Sequence, residues 1–164
     1  MIPPINGLKV LRELAITHSR NRHPNLPEAA RCTKSYNDRT ANGLTKCIID
    51  FLNFSGHQAE RINCTGKMID NTKIITDVLG DRRSIGSVKW LPTSGQRGTA
   101  DISSTIKNKD GIGISVKFEV KIKKDVQSSF QKAYQADIER AGGRYFLCHN
   151  FDEFLTYYNS INGK

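Results

Sequence analysis

Gly98-Thr99-Ala100-Asp101-Ile102-Ser103 and Ile114-Ser115-Val116-Lys117-Phe118-Glu119-Val120-Lys121 are the two runs on which the reading of this chain turns. The second alternates strictly: Ile114, Val116, Phe118 and Val120 are apolar, while Ser115, Lys117, Glu119 and Lys121 are polar. A period of two is that of a strand with one buried face. Glu119 and Lys121 therefore share a face while Val120 points into the core. The first run alternates in the same way and carries Asp101.

Between them lies Lys107-Asn108-Lys109-Asp110-Gly111, and Asp-Gly between two alternating runs is a strong hairpin signal. A three-residue loop at 109–111, with Gly111 in the left-handed region, sets Asn108 opposite Ile112. Counting outward then sets Asp101 opposite Glu119. Facing side chains on paired strands approach closely enough to share a divalent cation.

The charge balance concentrates around these acids. The chain has 164 residues and a net charge of +9. Residues 82–124 hold ten Lys/Arg against three Asp/Glu, and residues 1–40 seven against three. A cationic surface around a small acidic centre suits a phosphodiester substrate and a metal ion. Cys32, Cys47, Cys64 and Cys148 show no zinc spacing and no disulfide framework, which predicts reduced thiols in an intracellular, cytoplasmic protein. No apolar run approaches the roughly 18 residues that would span a bilayer, and no signal-peptide pattern opens the chain, so no membrane partner is expected.

Residues 1–38 read as a basic N-terminal extension, with a short amphipathic helix (Leu8, Leu11, Leu14, Ala15) broken by Pro24 and Pro27. It would serve as a DNA-contacting arm, a dimer strap or a loosely ordered leader. From Asn42 a stronger helix follows, with Leu44, Cys47, Ile48, Phe51 and Leu52 on one face and Gly56 as the stop. A strand is expected over His57 to Asn63, then one or two inserted strands (Lys73–Leu79, Ser87–Leu91), then the hairpin. Ser128 opens a helix whose buried stripe is expected to be Phe130, Ala133, Tyr134, Ile138 and Ala141, closed by Gly142-Gly143. A strand over Arg144–Cys148 leads to a last helix, with Asp152 as its expected N-cap and Phe154, Leu155 and Tyr158 inward.

These residues resemble the PD-(D/E)xK nuclease superfamily, and within it the small phage and bacterial VRR-NUC type, related to Holliday-junction resolvase-like nucleases. The resemblance rests on Gly98-x-x-Asp101, Glu119-Val120-Lys121, Gln131 and Gly142-Gly143 in that order, with Arg61-Ile62-Asn63 and Ser94-Gly95 similar to the lead-in. It covers roughly residues 42 to 158. It implies an α/β fold with a restriction-endonuclease-like core, a mixed central β-sheet flanked by helices in the order αβββαβ. The nuclease domain would span residues 39–164. Many family members carry a further Glu early in the first helix; residues 41–46 hold no acid, and Asn42 is left to hold a water or cap the helix.

The resemblance implies a Mg²⁺- or Mn²⁺-dependent deoxyribonuclease acting as an endonuclease. Asp101, Glu119 and the Val120 carbonyl would hold the metal, Lys121 would stand beside the attacking water, and Gln131 would complete the catalytic set. Each has a plainer reading: a surface acid pair for the carboxylates, a salt bridge to Glu119 for Lys121, and a capping box Ser128-x-x-Gln131 for the glutamine. Arg61, Arg82, Arg83, Lys89, Arg97, Lys123 and Lys124 are the candidate DNA-phosphate contacts. Trp90 is expected to be packed, and His57 and His149 to have no catalytic part. Recognition by DNA structure, rather than by a long sequence, suits a core of this size, and analogy suggests a homodimer. The competing reading is a catalytically inactive DNA-binding module on the same fold.

Overall fold

A computed structural model describes residues 6–31, 34–63, 66–92 and 95–161. Cys32, Cys64 and Ser94 lie outside the described residues. In chain order the elements are α1 (Gly7–Arg22), a 3-10 turn at Glu28–Ala30, α2 (Ala41–Phe54), β1 (Gln58–Arg61), β2 (Lys67–Asp70), β3 (Lys73–Thr76), β4 (Arg82–Ile85), β5 (Val88–Leu91), β6 (Ile102–Lys107), β7 (Gly113–Val120), α3 (Ser129–Arg140), β8 (Arg144–Cys148) and α4 (Phe151–Ile161). They form two compact units, one of Met1–Ile62 with Gly98–Lys164, the other of Asn63–Arg97.

The first unit is mixed α/β, built on a four-stranded sheet in the order β1-β6-β7-β8. Only the β7–β8 pair is parallel. The β6–β7 hairpin has the expected register: Ile102 faces Phe118, the Asn108 N–H donates to the Ile112 carbonyl (2.9 Å), and Gly111 has φ +81°. One face of it carries Ile102, Ser104, Ile106, Val116, Phe118 and Val120, all buried. These pack with Leu44, Ile48 and Leu52 of α2 and Phe151 and Phe154 of α4 in a single apolar cluster. Phe118 meets Phe154 edge-on at 5.3 Å, and Phe51 meets Phe151, Phe154 and Tyr158 in the same manner. Ser104, the polar residue on this face, donates its hydroxyl to the Val116 carbonyl (2.8 Å), which removes the cost of burying it.

Several local expectations are corrected. The α1 helix runs for 16 residues and sets Leu11, wholly buried, into the core beside half-buried Leu8, Leu14 and Ala15, so this stretch packs as part of the unit rather than as an appended arm. Thr40, not Asn42, caps α2, accepting from the Gly43 N–H (3.1 Å) and leaving Asn42 exposed. At the start of α4 it is Asn150 that accepts from the Glu153 N–H (2.8 Å). Asp152 instead accepts from the Gly7 N–H (2.9 Å), tying α1 to α4. The expected stripe of α3 is not buried: Phe130, Ala133 and Ala141 are exposed, and the half-buried face is Gln131, Tyr134, Gln135 and Ile138. That face is mixed, Gln131 meeting Glu119 of the sheet and Tyr134 packing on Tyr145.

The second unit is a two-stranded antiparallel ribbon rather than one or two inserted strands. β2 pairs with β5 and β3 with β4. The ladders are in phase, since the Asn71 N–H donates to the Ser87 carbonyl (3.2 Å) between them and no residue is gained or lost. An Asx turn at Asp70, bonding the Thr72 N–H (2.9 Å), and Gly86 at φ +101° break the strands at matching points. β3 ends at Thr76, not Leu79, because Asp77 accepts from the N–H groups of Leu79 and Asp81 and turns the chain. Trp90 is 62% exposed, against the expectation that it packs.

Candidate active site

The face of the hairpin opposite the core holds Asp101, Ser103, Lys117, Glu119 and Lys121. The register places Asp101 one step beyond the Ile102–Phe118 pair, opposite Glu119. Asp101 turns inward from the loop before β6, where its Oδ2 accepts from the Val120 N–H (2.9 Å) and its carbonyl from the Ile62 N–H (2.8 Å). That loop starts at Gly98, whose φ is +86°. A Cβ there would run into the Phe130 carbonyl at the start of α3, so only glycine lets the Asp101 loop lie this close to the helix. The Gly-x-x-Asp spacing thus has a local steric cause.

Glu119 is 3% exposed, yet each of its oxygens is partnered. Oε1 accepts from Gln131 Nε2 and lies 3.2 Å from Lys121 Nζ, while Oε2 accepts from the Tyr145 hydroxyl (3.3 Å). Lys121 Nζ is also 3.2 Å from Gln131 Oε1 and 3.3 Å from Asp125 Oδ2. Gln131 bridges the acid and the ammonium with its two amide ends. The same oxygen accepts from the Ser128 N–H (2.8 Å), and Ser128 Oγ accepts from the Gln131 N–H (3.3 Å). The capping box and the site role are therefore one arrangement: the cap fixes the rotamer that presents the amide to Glu119 and Lys121.

Burial raises the Glu119 carboxyl above its ordinary range, and the nearby Asp101 charge adds to this, while Lys121 and Tyr145 pull the other way. Burial alone would lower Lys121, but its hydrogen bonds and charge attraction to Glu119 and Asp125 outweigh it and leave the ammonium more firmly protonated. Tyr145 is driven upward, first by burial and then by the Glu119 charge. The cluster sets the buried acid Glu119, with Asp101 facing it, beside an ammonium held charged by its partners.

Among the described residues, no group of three or more His, Cys, Asp or Glu gathers around one point. The oxygen donors available are Asp101, Glu119 and the Val120 carbonyl, a hard set that suits Mg²⁺ or Mn²⁺, which bind through one or two carboxylates and keep several waters. Asp50, the acid on α2, accepts from the Tyr36 hydroxyl (2.9 Å) and pairs with Lys34 (3.0 Å), and supplies no third ligand.

The candidate phosphate contacts divide. Lys123 and Lys124 are exposed on the turn directly after Lys121, and Lys123 has φ +60°, a rare conformation for a side-chain-bearing residue. This turn returns Asp125 to Lys121. Arg61 pairs with Ile102, so it lies on the core face of the sheet and not on the face of Glu119. Arg82, Arg83, Lys89 and Arg97 belong to the ribbon unit. Tyr145, Asp125 and Lys117 join the polar face without having been singled out from sequence. Lys117 was visible as the residue two before Glu119. Tyr145 reaches the site through the parallel pairing that sets it beside Lys117, a long-range register no local pattern reveals.

Comparison of the chain with protein-family models, curated proteins and solved structures finds no significant match. No helix among the described residues is long and apolar enough to cross a membrane.

Proposed function

We propose that the chain is a metal-dependent DNA endonuclease of the PD-(D/E)xK kind, with its first unit in a restriction-endonuclease-like arrangement. One observation carries this: Asp101 and Glu119 stand opposite each other on paired strands, with Lys121 Nζ 3.2 Å from Glu119 and Gln131 spanning the two. A buried acid (Glu119) facing a half-buried one (Asp101) is costly when both are charged, and a cation between them removes that cost. Asp101, Glu119 and the Val120 carbonyl would hold Mg²⁺ or Mn²⁺. When bound, the cation supplies neutralisation of the scissile phosphate and a water made more acidic for attack.

The chain's own residues do the positioning. Lys121, held charged by Glu119 and Asp125, orients the attacking water and stabilises negative charge developing on the phosphate. Gln131 and Tyr145 fix the two Glu119 oxygens, so the carboxylate does not reorganise during the reaction. Lys117, Lys123 and Lys124 on the same side take neighbouring phosphates. Phosphate contacts carry no sequence information, so DNA structure is the expected basis of selection.

A second reading, a nuclease-fold module that binds DNA without cutting it, draws on the full engagement of Glu119 by protein partners and on Asp50 being tied up elsewhere. Cleavage of plasmid, nicked, flap and four-way substrates with Mg²⁺ or Mn²⁺, against EDTA, separates the two. The nuclease reading expects metal-dependent cutting that Glu119→Ala or Lys121→Ala abolishes, with salt-sensitive binding retained. Full activity in both variants moves the active site elsewhere; binding with no cutting on any substrate favours the inactive module.

A further inference from the structure

The ribbon strands β2 to β5 are the most exposed strands among the described residues. All but one of the sixteen strand residues of β2 to β5 are exposed, and Ile69 is the exception. The ribbon's two faces differ in kind. On one, every cross-strand pair sets a cation against an aliphatic residue: Lys67 with Leu91, Ile69 with Lys89, Lys73 with Ile85, and Ile75 with Arg83. On the other the pairs are Met68–Trp90, Asp70–Val88, Ile74–Ser84 and Thr76–Arg82. The cationic face thus holds four positive charges, one from each strand, and no strand carboxylate. Of the turn acids, Asp77 accepts from the N–H groups of Leu79 and Asp81 and lies 3.4 Å from Arg83, an exposed pair that a phosphate can replace.

Resting on the nuclease reading, we propose that this face of the ribbon is a DNA-groove contact, with Lys67, Lys73, Arg83 and Lys89 on phosphates. Three features select this partner. A two-stranded ribbon has the cross-section that the DNA major groove, about 12 Å wide, admits. From Lys67 to Thr76 each arm runs ten residues, about 33 Å at strand rise, close to one turn of duplex. The cations lie on both strands of the ribbon, as phosphates lie on both walls of a groove. The aliphatic residue opposite each cation is covered in part by the long side-chain stem across from it, leaving Leu91, Ile75 and Ile85 less exposed than Met68, Ile74 or Trp90 on the reverse face. A second copy of the chain would meet this face with like charge, which disfavours it as the occupant.

The test measures binding of a short fluorescent duplex in EDTA, as a function of salt, so that cleavage plays no part. Each lost phosphate contact removes about 0.9 from the slope of log affinity against log salt. The double variants Lys67→Ala/Lys89→Ala and Lys73→Ala/Arg83→Ala are each expected to flatten it by about 1.8, while Arg82→Ala, which the register sets on the reverse face and so removes from the candidate phosphate contacts, leaves it unchanged. These side chains are exposed, so circular dichroism should show the fold intact. Unchanged slopes in both doubles, or equal flattening by Arg82→Ala, overturn the assignment. So does a change of sedimenting mass in the doubles, which gives the face to a second copy. If the wild type cuts DNA and the doubles bind as it does, only the ribbon assignment fails; if the wild type neither binds nor cuts, the nuclease reading itself fails.

Discussion

The β6–β7 hairpin and the β2–β5/β3–β4 ribbon are both antiparallel, both rich in Ile, Val and Lys, and both turned at a short loop containing Asp and Gly. One has Ile102, Ile106, Val116 and Phe118 wholly buried; the other has Met68, Ile74, Val88 and Trp90 more than half exposed. The difference is not in the strands but in what covers them. α2 and α4 bring a stripe of Leu, Ile and Phe to the first hairpin, whereas the described residues of the ribbon's own unit include no helix to cover it. Burial makes the first hairpin a stiff frame able to hold two carboxylates opposite each other at fixed register. Exposure leaves the second free to present side chains to a partner, at the cost of contributing little to folding.

The sharpest way to break this contrast is to truncate one aliphatic or aromatic side chain in each hairpin. Phe118→Ala removes a fully buried ring touching Phe146 and Phe154, and should cost about 3–5 kcal/mol in urea denaturation. Ile74→Ala removes a side chain 74% exposed and should stay within about 0.5 kcal/mol. Similar losses from both would mean that the ribbon face is covered in solution.

Which parts of this were legible in the sequence follows the same division. The strict alternation from Ile114 to Val120, the Asp-Gly turn and the parity of Asp101 against Glu119 are local, and the hairpin register was readable from them. The ribbon's in-phase pairing was not, because Asp70-Asn71-Thr72 and Ser87-Gly86 interrupt each arm and read as loop. Helix caps were misassigned at Asn42 and Asp152, where a neighbouring Thr40 or Asn150 had equal capping chemistry and only tertiary bonds, such as Asp152 to Gly7, decide between them. The inner face of α3 meets Glu119 and Tyr145, so the amides Gln131 and Gln135 share it with Tyr134 and Ile138, while Phe130, Ala133 and Ala141 are left outside. Tyr145 and Asp125 enter the site through a parallel strand pairing and a left-handed turn at Lys123, neither of which leaves a periodic trace.

A smaller effect sharpens what the covered hairpin is for. If its outer face is organised for chemistry, Gln131 has two separable jobs, capping α3 and holding Glu119 to Lys121. Gln131→Ala should lower stability by about 1 kcal/mol through the lost reciprocal cap. It should also lower cleavage by on the order of tenfold or more when assayed well below the unfolding temperature. Ser128→Ala removes the cap's other half and controls for it. Equal rates for Gln131→Ala and Ser128→Ala would reduce the glutamine to a capping residue.

The smallest expected effect separates the two hairpins by pH. His57 is fixed at the end of the covered one: its Nδ1 accepts from the Lys107 N–H (3.2 Å), which leaves Nε2 to donate to the Tyr158 hydroxyl (3.0 Å). Burial lowers its pKa, so the folded chain keeps the ring neutral. The unfolded chain protonates it near pH 6.5, roughly the ordinary histidine value. Stability from this group is therefore complete above that pH, falls as the pH drops toward the depressed folded value, and is constant below it. Subtracting the His57→Gln stability profile from that of the wild type, between about pH 8 and pH 5, isolates the contribution from the carboxylates that titrate lower down. The difference should shrink toward acid. The ribbon contains no histidine, so Trp90 fluorescence should show no His57-dependent change over the same interval. A flat difference profile would mean that His57 titrates alike in the folded and unfolded chains, and that its bonds to Lys107 and Tyr158 do not hold it neutral.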